Sequence, residues 1–296
     1  MDDSIAAKGK AAAEHFEEFG YAIVRNFIDA DEVARLQAET RRVYEEGLKH
    51  HATYRHGNLA FEILPETDFD QRYVIQAYWM SWVSPYFEAF RRHENYLAVL
   101  EPILGSNIKQ VAQQIHWKPP GAGLTGYRFH QDLRFRPNQD DYRDIVGSSV
   151  TAGLAIDPST PENGCLRVVP KAHKRGYLGM SDEGHGQIML GLTEDDDLRR
   201  VGLDPADIVD LVLEPGDLAL WGLLTPHGSL PNSSGNDRAF ALSSYVRAEN
   251  TDRGEWAFRE GVGVPLGPEP KLCKYEKLFE EPGPLYDETP WWRPQA

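Results

Sequence analysis

Three residues of this 296-residue chain have the types and spacing to hold a metal ion: His130, Asp132 and His227. His130 and Asp132 stand two positions apart in Tyr127-Arg-Phe-His-Gln-Asp132, a β-like stretch. On a strand, both side chains would project from one face. The pair alone is weak evidence, because ten histidines and 46 acidic residues give about one or two His-x-Asp/Glu matches by chance. His15-Phe-Glu17 is such a match, and its helical surroundings turn the two side chains apart. His227 lifts the first pair above chance. It sits in Pro226-His-Gly-Ser229, after one β-like run and before the next, so two distant segments can converge. Two imidazoles and a carboxylate form a facial triad that holds Fe(II) and leaves three positions open, and Zn(II) can take the same donors. Arg238 opens a run in which Phe240, Leu242 and Ser244 share its face, so a guanidinium can point inward as a planar fork for a carboxylate.

The elements that must position these residues are legible in outline. Gly20 stops a first amphipathic helix, and Tyr21–Phe27 has strand composition. Asp29 and Glu32 have capping-box spacing for a helix over about 30–48. Ser84-Pro85 opens another helix, and Leu97, Leu100, Ile103 and Leu104 form an apolar face ending at Gly105. Residues 50–80 are mixed and carry no assignment, so the first third reads as mainly helical. From about 107 the texture is β: Ile108–Lys118, Ser149–Ile156, Leu166–Val169, Ile208–Leu213, Leu218–Gly222 and Arg238–Val246. Asn163-Gly164 predicts a type I′ hairpin and Pro215-Gly216 a type II turn. Short strands joined by such turns indicate a sandwich or barrel. One domain over 1–296 is expected: a helical part to about 106, a β core over about 107–248, and a Pro-, Gly- and Trp-rich wrapping tail over about 249–296.

The composition limits the partners. A formal charge of −15 disfavours nucleic acid and anionic bilayers, and no run of apolar residues is long enough to cross a membrane. Cys165 and Cys273 are too few for a disulfide framework, no signal peptide is evident, and a reducing cytoplasm fits. Nothing in the sequence chooses between monomer and homodimer.

Taken with these residues, the chain resembles the phytanoyl-CoA dioxygenase family of Fe(II)- and 2-oxoglutarate-dependent oxygenases. The resemblance is carried by Glu18–Phe27, Trp117-Lys-Pro-Pro120, His130-Gln-Asp132, Pro161–Pro170 with Ala172-His-Lys174, Pro215-Gly-Asp217, and His227-Gly-Ser229 with Arg238 eleven residues on. It implies a mainly β fold with flanking α-helices, a double-stranded β-helix or cupin-like jelly roll. It implies that His130, Asp132 and His227 ligate the iron, that Arg238 pairs with the distal carboxylate of the 2-oxoglutarate co-substrate, and that Ser229 helps hold it. Gln114 aligns with a further co-substrate contact, a place that His116 or Lys118 could also take. Gly153 stands where the family often has tryptophan, which implies a wider pocket. Asp132 argues against halogenating relatives, in which a small residue replaces the carboxylate. The expected reaction uses O2 to hydroxylate an unactivated C–H of a small organic metabolite, releasing succinate and CO2; desaturation, ring formation and endoperoxidation stay open. The rival is a cupin-like metal protein, a Zn hydrolase or small-ligand binder, which has no need of a carboxylate clamp.

Other features read as structural. His50, His51 and His56 follow a helix end, where basic groups favour the dipole. Glu194–Asp197 reads as a solvated loop or helix start, and Tyr78, Trp79, Met80, Trp82 and Trp221 as core or pocket wall.

Overall fold

The computed structural model describes residues 4–64, 66, 71–120, 125–136, 142–180, 194–268 and 285–287. In chain order the elements are α1 (Ile5–Phe19), β1 (Tyr21–Val24), α2 (Ala30–Gly47), β2 (Thr53–His56), β3 (Leu59–Leu64), β4 (Tyr73–Tyr78), α3 (Pro85–Phe90), α4 (Glu94–Leu104), β5 (Ile108–Lys118), β6 (Tyr127–His130), β7 (Ser149–Ala155), β8 (Leu166–Val168), α5 (Glu194–Arg200), β9 (Val209–Leu211), β10 (Leu218–Trp221), β11 (His227–Ser229), β12 (Arg238–Arg247), β13 (Glu255–Arg259), β14 (Val262–Gly263) and β15 (Leu285–Asp287).

The strands form two antiparallel sheets, a jelly roll flanked by helices. The larger runs β1-β10-β7-β12-β5-β4-β3-β2-β15, with β13 also on β5 and β14 on β13; the smaller runs β6-β11-β8-β9. Alternation on the two long central strands divides the molecule. From β5, Ala112, Gln114, His116 and Lys118 face a cavity, while Ile115 and Trp117 enter the core with Leu36 and Val43 of α2. Trp117 meets Tyr44 of α2 edge to face at 5.3 Å. From β12, Arg238, Phe240, Leu242 and Ser244 face the same cavity, as the sequence pattern predicts. A bulge between Ser244 and Tyr245 then shifts the register and sets Tyr245 against Tyr96 of α4.

Local signals hold where they rest on caps. Asp29 accepts from Glu32 N at 2.8 Å, Ser84 accepts from Phe87 N at 3.1 Å, and Gly20 closes α1 at φ 84°. The Pro215-Gly216 turn has Gly216 at φ 92° and Asp217 N donating to Glu214 O at 3.0 Å, the type II pattern. Asp217 then locks the turn to the strand edge, accepting from Arg25 Nη1 (2.6 Å), Asn26 N (2.8 Å) and Glu214 N (3.0 Å).

Two readings change. Within the region left unassigned in the sequence, β2, β3 and β4 form a meander that extends the large sheet beyond β5. Strands β3 and β4 are buried on both faces, which removes the alternation that marks a half-exposed strand. Asn163-Gly164 is not a type I′ hairpin. Only Gly164 has positive φ, closing a short 3-10 turn over Pro161–Asn163, and β8 pairs with β9 and β11 rather than with β7. The turn carries the chain from one sheet to the other. Among the described residues no helix is long and apolar enough to cross a membrane.

Arg91 ties the residues after β12 to the helices. Its buried guanidinium donates to Gln110 Oε1 (2.8 Å), Val264 O (3.0 Å) and Trp256 O (2.7 Å). Arg91→Met strips three buried acceptors of their donor and is expected to destabilise the fold by about 3 kcal/mol in urea unfolding. A loss under about 0.5 kcal/mol, the level of a neutral surface change, would show that the tie is dispensable.

Candidate metal and co-substrate site

Pairing of β11 on β6 sets His227 directly opposite His130, with the rings 4.3 Å apart between centroids. Gly228 allows the close packing: a Cβ there would lie 2.8 Å from Tyr127 O. Asp132, two residues beyond His130 in a 3-10 turn, completes the group. Its Oδ1 is 3.5 Å from Nε2 of both histidines. Among the described residues this is the sole cluster of at least three His, Cys, Asp or Glu side chains close enough to share a metal ion.

The donor set fits a divalent metal. Nδ1 of His130 lies 2.7 Å from Arg128 O, and Nδ1 of His227 lies 2.9 Å from Thr225 O. A carbonyl can only accept, so each Nδ1 carries the proton and each Nε2 turns a lone pair toward Asp132. Burial pushes the His227 imidazole down to about 4, which keeps it neutral. Burial opposes ionisation of Asp132, but His227 and then His130 outweigh it and hold the carboxyl well below the usual range. Its outer oxygen, Oδ2, accepts from Thr151 Oγ1 and Trp221 Nε1, each at 3.2 Å, leaving Oδ1 for the metal.

Arg238 lies in the wall of the same cavity and is 3% exposed. One nitrogen donates to Ser159 Oγ at 3.2 Å, while Nε is buried without a partner. Burial pushes the guanidinium down to about 10, still charged at neutral pH. Lys118, opposite Arg238 in the β5–β12 register, is 1% exposed. Burial, then Arg238 beside it, push its ammonium down. Yet its Nζ meets three acceptors, one for each N–H of the charged form: Gly164 O (3.1 Å), Ser229 Oγ (2.6 Å) and Leu230 O (2.6 Å). The Asn163-Gly164 turn makes this possible. A Cβ at Gly164 would lie 2.1 Å from Leu230 O, so only glycine lets the two backbones close around the ammonium. Because Ser229 Oγ accepts from Lys118, its own hydrogen is left to donate.

Gln114 does line the cavity, but its Oε1 is engaged by His116 Nε2 at 2.9 Å. His116 Nδ1 lies 2.9 Å from Tyr127 OH, which also accepts from Gln76 Nε2 at 2.6 Å. Gln114 thus belongs to a polar wall. The wider pocket expected at Gly153 is not there. A Cβ at Gly153 would lie 2.5 Å from the Phe240 ring and 2.8 Å from that of Trp221, so two neighbouring strands fill the space. Thr151 and Trp221 as anchors of Asp132 were not legible in the sequence; Trp221 carries a weak signal, as the end of the strand that leads toward His227. His50 stacks on Tyr54 at 3.8 Å, while Asp197, read as part of a solvated loop or helix start, lies in helix α5 but is buried and pairs with Arg128.

Removing either donor to Asp132 tests this arrangement. Trp221→Phe is expected to weaken Co(II) binding by about 10- to 100-fold in calorimetric titration, and His130→Ala to weaken it more. Equal affinities in wild type and Trp221→Phe would deny the indole a part in orienting the carboxylate.

Comparison with known proteins follows the geometry. The family described as Phytanoyl-CoA dioxygenase (PhyH) matches residues 16–240. Curated relatives include a methylphosphonate hydroxylase of Gimesia maris, 29% identical over 45% of this chain and 43% of its own length. A probable alpha-ketoglutarate-dependent hypophosphite dioxygenase of Stutzerimonas stutzeri is 28% identical over 55% of each chain. The chain therefore spans about half the length of these relatives. The fold is that of EctD from S. alaskensis, solved with 2-oxoglutarate and 5-hydroxyectoine, at TM-score 0.61 and 21% identity over 96% of this chain and 90% of that one. With the family's match running from α1 into β12 and taking in all three members of the triad, the chain belongs to the phytanoyl-CoA dioxygenase family.

Proposed function

We propose that the protein is a dioxygenase dependent on Fe(II) and 2-oxoglutarate that hydroxylates an unactivated C–H bond of a small organic metabolite. The observation that carries this reading is Arg238: a buried guanidinium with an unmatched Nε, in the cavity that the metal triad shares. A buried guanidinium that forms no ion pair among the described residues is costly, and a dicarboxylate co-substrate offsets that cost. A Zn hydrolase would have no use for it. Family membership and the hydroxylase and dioxygenase activities of the relatives named above support the same reading.

His130, Asp132 and His227 would hold the iron, with Arg238 and the Ser229 hydroxyl on the distal carboxylate of 2-oxoglutarate. With both bound, the pair supplies the oxidising chemistry, in which O2 is spent on converting 2-oxoglutarate to succinate and CO2 and on hydroxylating the substrate. The chain's own part is positional. Lys118 fixes the Ser229 oxygen so that its hydrogen points away from the ammonium. Thr151 and Trp221 hold Asp132, and Phe240, Leu242 and Leu166 form apolar wall that limits water around the carboxylate clamp. Dry surroundings strengthen each charge-assisted bond.

A small metabolite is favoured over a long acyl thioester or a polymer. The charge of −15 gives no broad attraction for an extended anion, nucleic acid or membrane. We read the compartment as the cytoplasm, whose reducing potential suits the buried free thiol of Cys165.

Succinate release from 2-oxoglutarate should require added Fe(II) and oxygen and should vanish in His130→Ala. Arg238→Ala is expected to raise the KM for 2-oxoglutarate by roughly 10- to 100-fold, the weight of a buried charge-assisted hydrogen bond. An unchanged KM, or tight Zn(II) binding with no succinate under any condition, would overturn the oxygenase reading.

A further inference from the structure

The cavity wall holds a second guanidinium with a buried nitrogen that has no partner among the described residues. Arg136 follows Phe135, whose ring packs edge to face on His130 with centroids 5.5 Å apart, so Arg136 lines the cavity on the side of the metal triad. It is 8% exposed. One Nη donates at 3.2 Å to the neutral carbonyl of Phe135, and Nε is buried with no partner. The nearby arginines are differently placed. Arg128 is bound to Asp197, and Arg134 lies over the Phe135 ring.

Arg136 acts through space to help keep Asp132 ionised, but no ion pair joins it to Asp132. Its two oxygens already face the histidine pair and the donors from Thr151 and Trp221. Among the described residues that line the cavity it is also the sole acidic one, against Lys118, Arg136 and Arg238. The interior is thus cationic within an acidic protein, and a cleft of one sign concentrates small ions of the other. On the reading above, on which this inference rests, Arg238 takes the distal carboxylate of 2-oxoglutarate and the metal takes the near one. Arg136 is then left for a different anion.

We propose that Arg136 binds an anionic group of the substrate, and that the substrate is a small organic anion bearing a carboxylate, phosphonate or sulfonate. The planar fork suits each of these groups, and its place beside Phe135 and His130 holds the anion close to where oxidation occurs. Specificity then comes from two separated cations in one cavity, one for the co-substrate and one for the substrate.

The test is calorimetric titration of the full chain loaded with Ni(II) and 2-oxoglutarate. The probes are acetate, methylphosphonate and methanesulfonate, with acetamide as the neutral counterpart of acetate. At least one anion should bind and acetamide should not. Arg136→Gln should weaken the anion by about tenfold or more, with a smaller loss in Arg136→Lys, which keeps the charge. Binding of 2-oxoglutarate to the Ni(II) protein should stay within about twofold in Arg136→Gln but fall in Arg238→Gln. The proposal is overturned if no anion binds, if acetamide binds as well as acetate, if both Arg136 variants bind the anion like wild type, or if Arg136→Gln weakens 2-oxoglutarate as much as Arg238→Gln. Those outcomes leave the oxygenase reading standing. Failure of wild type to bind 2-oxoglutarate at all would remove that reading, and this proposal with it.

Discussion

The antiparallel pairing of β11 on β6 is the constraint on which the site depends. It sets His227 opposite His130 and lets two backbone carbonyls, those of Arg128 and Thr225, orient both imidazoles through Nδ1. A one-residue slip would turn His227 to the other face and break up the group of two imidazoles and a carboxylate. The surrounding architecture holds that register. β8 pairs with the other edge of β11, and the Asn163-Gly164 turn clasps Leu230 just beyond it.

A second constraint is the management of buried cations. Lys118 and Arg238 are cross-strand neighbours, a repulsive pair in a medium that screens poorly. The chain satisfies Lys118 internally with two carbonyls and a hydroxyl, and leaves Arg238 under-satisfied. On the function proposed above, that division separates a framework cation from one that binds the co-substrate. Arg136 falls with Arg238 by the same measure. The acidic exterior and the cationic cavity are compatible because the surface charge is solvated and screened over roughly 10 Å, whereas the interior charges are not.

The Gly153 position shows how one shape can be filled from different strands. The family resemblance places a large ring there; here the backbone of β7 is bare, and Phe240 from β12 and Trp221 from β10 occupy the space. The indole does double duty, since its N–H also fixes Asp132. Packing density is conserved while the residue that supplies the volume is not. Single-position comparison therefore misleads about pocket width.

What the sequence alone determined was whatever is written in local chemistry. The metal triad and Arg238 were legible because a His-x-Asp pair, weak alone, is joined by a distal His227 and by Arg238 eleven residues on, the combination that carries the family resemblance. The caps at Asp29, Ser84 and Gly20, and the strands β5, β7 and β12, were legible because short-range hydrogen bonding and half-burial leave periodic marks. Strands β3 and β4 were not, because strands buried on both faces lose the alternation that identifies them. The path of Asn163-Gly164 between sheets was decided by long-range pairing, which no turn dipeptide encodes. Only the tertiary structure brought Thr151 and Trp221 to Asp132, Lys118 to Ser229, and Arg136, with its unpartnered Nε, beside the triad. Those contacts join segments that lie from a few to more than a hundred residues apart, and their meaning lies in which polar atoms burial leaves satisfied and which it leaves waiting for a ligand.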